Sequence, residues 1–186
     1  MNGIDPGLAR GIRIVVLDVD GVLTDNELFI GEAQGERIEL KRFNVQDGIG
    51  IHLLRFAAIP VTILSGRVSA ATTLRMRELG ITDVIQDPTA SKLPRMLALL
   101  QEKGIGWHEV LYMGDDLPDV PVMRRVGISV SVANGVDEVK AVASCVTERI
   151  GGYGAVREMV EALLKARGEW DHVLAGYYRE RGGDAT

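Results

Sequence analysis

The chain has a single cysteine, Cys145, among its 186 residues, which excludes an intrachain disulfide and any cysteine-based metal cluster. It sits in Ala143-Ser144-Cys145-Val146, which reads as a buried strand end rather than a reactive thiol. No run approaches the roughly 18 apolar residues that a membrane-spanning helix needs. Residues 1–13 lack the apolar stretch of a signal peptide, so the expectation is a cytoplasmic protein with no membrane partner. Positive charge is also short: 21 Lys and Arg against 26 Asp and Glu leave a net −5, which disfavours a nucleic-acid partner. An acidic chain can still hold a phosphate ester locally, with a metal ion and a few placed cations. What is present is enough apolar sequence, 46%, to bury a core in one domain. With no repeat and no low-complexity linker, residues 1–186 read as a single domain.

Short runs rich in β-branched residues cover 12–19, 60–64, 83–86, 110–113, 128–132 and 145–146. Helical patterns lie between them at 49–57, 70–79, 92–103, 119–126, 137–143 and 155–167. Apolar runs this short suit strands buried on both faces, as in a parallel sheet. The alternation implies right-handed βαβ units and a three-layer, Rossmann-like α/β fold. Residues 27–43 break the pattern: two alternating stretches around Gly31 and Gly35 read as a β-hairpin, inserted after the first strand and projecting over the sheet's carboxyl edge. The tail, 168–186, carries Trp170, Tyr177 and Tyr178 and then six residues expected to fray. Its aromatics pack either on the chain's own body or on a neighbouring subunit, and the sequence leaves both open.

Chemistry collects where strands end. Asp18 and Asp20 close the first strand, Asp115 and Asp116 follow 110–113, and Asp119 opens the next helix. Ligands of open α/β sheets bind outside the carboxyl ends of the strands. If the two strands are neighbours, up to five carboxylates crowd together and raise one another's pKa. A hard divalent cation resolves that conflict, and oxygen-only ligation favours magnesium. Ser65-Gly66-Arg67 follows the strand at 60–64 and precedes a helix start, where a hydroxyl and backbone amides form an anion site. Lys92 stands at the next such junction, where a lysine is unhelpful to the helix dipole and fits a phosphate clamp. Each motif alone has an ordinary alternative: a turn, a loop, a solvated lysine or a structural metal site. Their order, each just after a strand, is the specific feature.

Asp18-Val19-Asp20-Gly21-Val22-Leu23-Thr24-Asp25, Ser65, Lys92 and Gly114-Asp115-Asp116-Leu117-Pro118-Asp119 together resemble the four motifs of the haloacid dehalogenase superfamily of phosphotransferases. The resemblance is closest to the capless branch of octulosonate 8-phosphate phosphatases, which has a hairpin after the first motif. Phe43-Asn44-Val45-Gln46-Asp47-Gly48-Ile49-Gly50 and Ile150-Gly151-Gly152-Tyr153-Gly154-Ala155-Val156-Arg157-Glu158 extend it over residues 14–167.

The resemblance implies a magnesium-dependent phosphatase with Asp18 as nucleophile and Asp20 as general acid and base. It implies Mg2+ on the Asp18 and Asp115 carboxylates and the Asp20 carbonyl, with Asp116 and Asp119 in support. Ser65, Gly66 and Lys92 would hold the phosphoryl oxygens. Asn44, Gln46, Gly48, His52, Arg67 and Arg75 would meet a small phosphorylated sugar acid. It further implies a role in lipopolysaccharide biosynthesis and a homotetramer built through the hairpins, in which a neighbour completes the cap. Leu28, Ile30, Ile38 and Leu40 are the hairpin's candidates for burial there.

Octulosonate phosphatases usually carry arginine where Gln46 and His52 stand, and each lost charge-assisted hydrogen bond is worth roughly 1.5–3 kcal/mol. Another ketoacid sugar, such as a nine-carbon 9-phosphate, therefore remains an alternative substrate. A non-catalytic, receiver-like phospho-acceptor also clusters aspartates and a lysine, but it lacks an acid two residues after the acceptor, as Asp20 is here.

Overall fold

A continuous apolar run, buried on both faces, places the first strand, β1 (Ile14–Leu17), in the centre of a sheet, with all four residues buried. Residues 3–183 are described by a computed structural model. After β1 come the hairpin strands β2 (Phe29–Ala33) and β3 (Glu36–Leu40), then β4 (Val61–Ser65), β5 (Val84–Gln86), β6 (Val110–Gly114), β7 (Ile128–Ser131) and β8 (Cys145–Val146). Six of them form one parallel sheet in the order β5-β4-β1-β6-β7-β8. The chain runs outward from β1 through β4 and β5, then returns to lay β6 on β1's other side. The switch point between β1 and β6, where such folds form a crevice, is held by the register Leu17↔Met113.

The helices are α1 (Pro6–Gly11), α2 (Val45–Phe56), α3 (Ala70–Glu78), α4 (Lys92–Lys103), α5 (Val120–Met123), α6 (Asp137–Val142), α7 (Ala155–Arg167) and α8 (Trp170–Glu180). Strand side chains alternate between two cores. Val15, Leu17, Leu111 and Met113 pack under α2 and α7, against Leu53, Leu54, Met159 and Leu163. Ile14, Val16, Val110 and Tyr112 face α4 to α6, against Met96, Leu100, Val122 and Val139. This is the expected three-layer α/β architecture.

The helices at 92–103 and 155–167 carry the expected bounds because each ends at a glycine in the left-handed region, Gly104 at φ 60° and Gly168 at φ 74°, the usual αL termination. The helix expected over 119–126 is shorter. Leu117–Asp119 form a 3-10 turn and α5 ends at Met123, because the Asp119 carboxylate accepts from the amides of Asp115 and Asp116 and tightens the entry.

Two helices had not been expected. The first, α1, is capped by Asp5, whose side chain accepts from the Leu8 amide, with Pro6 in its first turn; such capping offsets the weak nucleation of so short a helix. The second, α8, brings the tail's aromatics onto the chain's own body. There Val173 is fully buried and Tyr177 stands edge-on to Phe56 and His52. Of the six residues expected to fray, 181–183 follow α8 as a turn, and 184–186 lie outside the described residues.

The hairpin forms as expected, with one correction: Gly31 is mid-strand opposite Ile38, and the turn is Gln34-Gly35, both at positive φ. That is the primed geometry whose twist matches the strands. The register also sorts its faces. Phe29, Ile38 and Leu40 share one exposed face, whereas Ile30 faces the other side with Arg37 and Glu39. Leu28, expected at a subunit interface, lines the pocket above the sheet.

Candidate active site

Asp18 leaves β1 beside Asp115, which leaves β6, and the Asp18 amide donates to the Met113 carbonyl at 3.0 Å. Gly21, at φ 85°, lets the turn after Asp18 pass close to Asp115: a Cβ there would lie 1.9 Å from Asp115 Oδ2. Behind this turn Gly151 serves the same purpose, since a Cβ on it would lie 1.6 Å from the Gly21 carbonyl oxygen. A 220 Å³ pocket opens at this edge, lined by Asp18, Asp20, Ser65, Gly66, Arg67, Lys92, Asp115, Asp116 and Asp119, with Asn26, Leu28, Ala90 and Pro118. The four strand-end motifs therefore meet in one site.

Lys92, in the first turn of α4, is the electrostatic hinge. Its ammonium lies 2.7 Å from Asp18 Oδ1 and 2.5 Å from Asp119 Oδ1, and the residue is only 5% exposed. Burial works against the ammonium, but Asp18 and Asp119 outweigh it and raise its pKa. Asp119 is fully committed: it accepts from Lys92, from the Tyr112 hydroxyl at 2.6 Å, and from the amides of Asp115 and Asp116 at 3.0 and 3.2 Å.

The other two carboxylates are less well satisfied. Burial pushes Asp18 up to about 6, despite Lys92. Burial and the charges of Asp18 and Asp119 push Asp115 up to about 8. The buried Asp115 Oδ1 has no hydrogen-bond partner among the described residues. Oxygens of Asp18, Asp115 and Asp119 fall within 4.8 Å of one another. An all-carboxylate set with an orphaned oxygen fits a hard divalent cation. Because Asp119 is already saturated, Asp18 and Asp115 are the carboxylates available to such an ion.

Ser65 Oγ is held in its own loop, accepting from the Arg67 amide and donating to the Arg67 carbonyl, each at 3.2 Å. Gly66 meets the loop before α4, where a Cβ would lie 3.0 Å from Ala90 Cβ. Ala90 adopts φ 54°, a conformation glycine takes more readily. Asp87 compensates by building the turn, accepting from the Thr89 amide and hydroxyl at 2.9 and 2.7 Å. Arg67 reaches the hairpin, with its guanidinium 3.1 Å from Glu39 Oε2.

The remaining residues expected to meet substrate are not in this pocket. Asn44 is the N-cap of α2, accepting from the Gln46 amide at 2.7 Å, and Gln46 accepts from Arg149 at 3.3 Å. Gly48 makes room for Arg75, whose Nη2 a Cβ would approach to 2.6 Å, while Arg75 itself pairs with Glu78. These four form a patch at the start of α2.

His52, two turns further along α2, is a correction. It packs edge-on against Phe56 and Tyr177, beside Arg55 and Glu180, and lines a separate 370 Å³ cavity with Ile59, Leu79 and Ile81. Helical periodicity turns it toward α8. Burial, with Arg55 and Arg181 nearby, lowers its pKa.

Two residues of the site carried no signal of their own. Tyr112 reads as core strand, yet its hydroxyl anchors Asp119. Lys41 reads as a surface hairpin lysine, yet its ammonium lies 2.6 Å from Asp20 Oδ1 and its side chain is wholly shielded from solvent.

Residues 54–157 match the haloacid dehalogenase-like hydrolase family. The chain is 44% identical over 163 residues to the 3-deoxy-D-manno-octulosonate 8-phosphate phosphatase KdsC of Escherichia coli K12, covering 88% of this chain and 85% of that one. Among solved structures it is similar to the 3-deoxy-D-manno-octulosonate 8-phosphate phosphatase of Moraxella catarrhalis, in complex with magnesium ion, phosphate ion and KDO. The TM-score is 0.86 at 38% identity, over 92% of this chain and 97% of that one. The cobalt-bound deoxy-D-mannose-octulosonate 8-phosphate phosphatase (YrbI) of Haemophilus influenzae aligns at TM-score 0.81 and 37% identity, over 88% and 94% of the two chains. The chain belongs to the haloacid dehalogenase-like hydrolases, among the relatives of the octulosonate 8-phosphate phosphatases.

Proposed function

We propose that the chain is a magnesium-dependent phosphomonoesterase that hydrolyses 3-deoxy-D-manno-octulosonate 8-phosphate through an aspartyl-phosphate on Asp18. The observation that carries this reading is Lys92 seated between Asp18 and Asp119, beside the orphaned Asp115 oxygen. The Escherichia coli and Moraxella catarrhalis relatives, at 44% and 38% identity, bear that substrate in their names. Asp18 attacks phosphorus, and covalent capture divides one difficult displacement into two easier ones. Asp20 donates a proton to the departing sugar oxygen, then takes one from the water that releases the phosphate. Lys92, the Ser65 hydroxyl and the Gly66 amide hold the phosphoryl oxygens, where charge is spread in the transition state. Asp18, Asp115 and the Asp20 carbonyl would hold the Mg2+, with Asp116 and Asp119 supporting from outside. When bound, the ion neutralises carboxylate and phosphate charge that the chain's own cations do not balance.

Within one protomer Arg67 is the cation placed to meet the sugar acid. The patch of Asn44, Gln46, Gly48 and Arg75 reaches a substrate through a neighbouring subunit, and the exposed apolar hairpin face supports a homotetramer that would bring it there. Arg149 beside Gln46 supplies a cation where a relative's arginine is missing.

The first test is phosphate release from p-nitrophenyl phosphate with magnesium. Asp18→Asn is expected to abolish it, and equal release by both proteins overturns the nucleophile. A panel of phosphorylated ketoacid sugars tests the substrate. Faster turnover of the nine-carbon 9-phosphate would transfer the assignment to that sugar.

A further inference from the structure

We propose that Lys41 is a positioning residue for Asp20, tying the alignment of the acid/base to the placement of the hairpin; this rests on the role given to Asp20 above. Lys41 follows β3 directly, and the base of the hairpin is pinned by the bridge Thr24↔Phe43. Its ammonium lies 2.6 Å from Asp20 Oδ1, 3.4 Å from Thr72 Oγ1 on α3 and 3.8 Å from Glu39 Oε1. Thr72 is fully buried, and the Lys41 side chain is 0% exposed.

An exposed lysine pair would add little to stability and would move with its solvent shell. A shielded ammonium hydrogen-bonded to Asp20 and Thr72, with Glu39 at ion-pair distance, is held in one position, at the cost of its rotamer freedom and hydration. Among the described residues, Asp20 has no other side-chain partner. Lys41 therefore holds Oδ1 and leaves the second carboxylate oxygen for the leaving group. Because Lys41 is continuous with β3, a shift of the hairpin by an ångström displaces the acid, and misplacement on that scale costs about 100-fold in rate.

Leaving groups report such a displacement directly. A phenol that departs readily needs no acid, whereas a poorer leaving group does. The experiment measures kcat/KM for p-nitrophenyl phosphate and for unsubstituted phenyl phosphate, which share shape and differ in leaving-group acidity. In Lys41→Met we expect phenyl phosphate turnover to fall about 100-fold and p-nitrophenyl phosphate turnover to fall at least tenfold less. Lys41→Arg should recover part of the difference, and Lys41→Met should add nothing to the leaving-group dependence of Asp20→Asn. Equal losses on the two esters, or no loss on either, overturn the proposal and leave Lys41 as a packing residue. If Lys41→Met does not accumulate as folded protein, Lys41→Gln makes the same comparison. Asp18→Asn measured alongside separates the two claims: activity retained there sinks the phosphatase mechanism itself, not only the part given to Lys41.

Discussion

Asp115 concentrates the electrostatic conflict of the site into one residue. It is buried, faces two other carboxylates, and keeps one oxygen without a partner. Its folded-state pKa of about 8 and that of Asp18, about 6, both lie above the ordinary 3.8. The folded chain therefore holds these protons more tightly than the unfolded chain does. The contribution of these groups to metal-free stability is fully present below 3.8 and is lost as pH climbs through about 6 and about 8. Thermal melts in chelator should accordingly show Tm declining over this interval, and Asp115→Asn should flatten the decline and melt above wild type at its alkaline end. Magnesium should raise the wild-type Tm more at pH 8 than at pH 6, because protons compete for the same oxygens; Asp115→Asn should lose most of that rise. A magnesium response that survives the substitution would take Asp115 out of the metal site. At this scale the sequence was already informative about Asp18, Asp20, Ser65, Lys92 and Asp115, since each stands at the carboxyl end of a strand or in the junction from that strand into the next helix. Lys41 and Tyr112 were not legible, because a lysine on a hairpin and a tyrosine in a strand acquire roles only from what folds against them.

Elements position these residues by capping one another. Asp47 sits in the first turn of α2, yet its carboxylate accepts from the amides of Gly154 and Arg157 at 3.2 and 2.8 Å. The start of α2 thus satisfies the start of α7, the helix that follows the Gly151-Gly152 support of the catalytic turn. Asp47→Ala would leave buried donors unmet and should cost about 1–3 kcal/mol. At about 2–4 °C per kcal/mol for a chain of this size, a calorimetric scan would resolve the loss; an unchanged Tm would show the two helix starts to be independent. Helix periodicity was readable for 92–103 and 155–167, where a left-handed glycine terminates a clear apolar stripe. It was not readable for α8, whose only fully buried residue is Val173 and which is otherwise seated by the partly buried rings of Trp170 and Tyr177 against the core. The placing of His52 was not legible either: beside Arg55 and Phe56 of its own helix it meets Tyr177 and Glu180, more than a hundred residues away in the chain.

For the molecule as a whole, the exposed hairpin face is the surface on which the proposed assembly would form. Phe29 is 58% and Leu40 61% exposed, with Ile38 two residues before Leu40 on the same face of β3, a cluster that an isolated monomer would leave wet. Light scattering should give the mass of a tetramer for wild type and of a monomer for the double variant Phe29→Lys, Leu40→Lys. The double variant should also lose more activity toward the sugar acid than toward p-nitrophenyl phosphate, because in the proposed tetramer only the former would use a neighbour's surface. A monomeric wild type would remove the assembly from the proposal. The order of strands and helices, the hairpin and the four strand-end motifs were determined by the sequence alone, because periodicity, turn residues and short apolar runs are local properties. Tertiary structure decided which strands adjoin. By returning β6 to the free side of β1 it placed Asp18 against Asp115, sent His52 to the tail helix, turned Leu28 into the pocket, and brought Lys41 to Asp20. Those outcomes depend on strand order, on register and on which face of a helix meets the core, and none of these is fixed by residues adjacent in the chain.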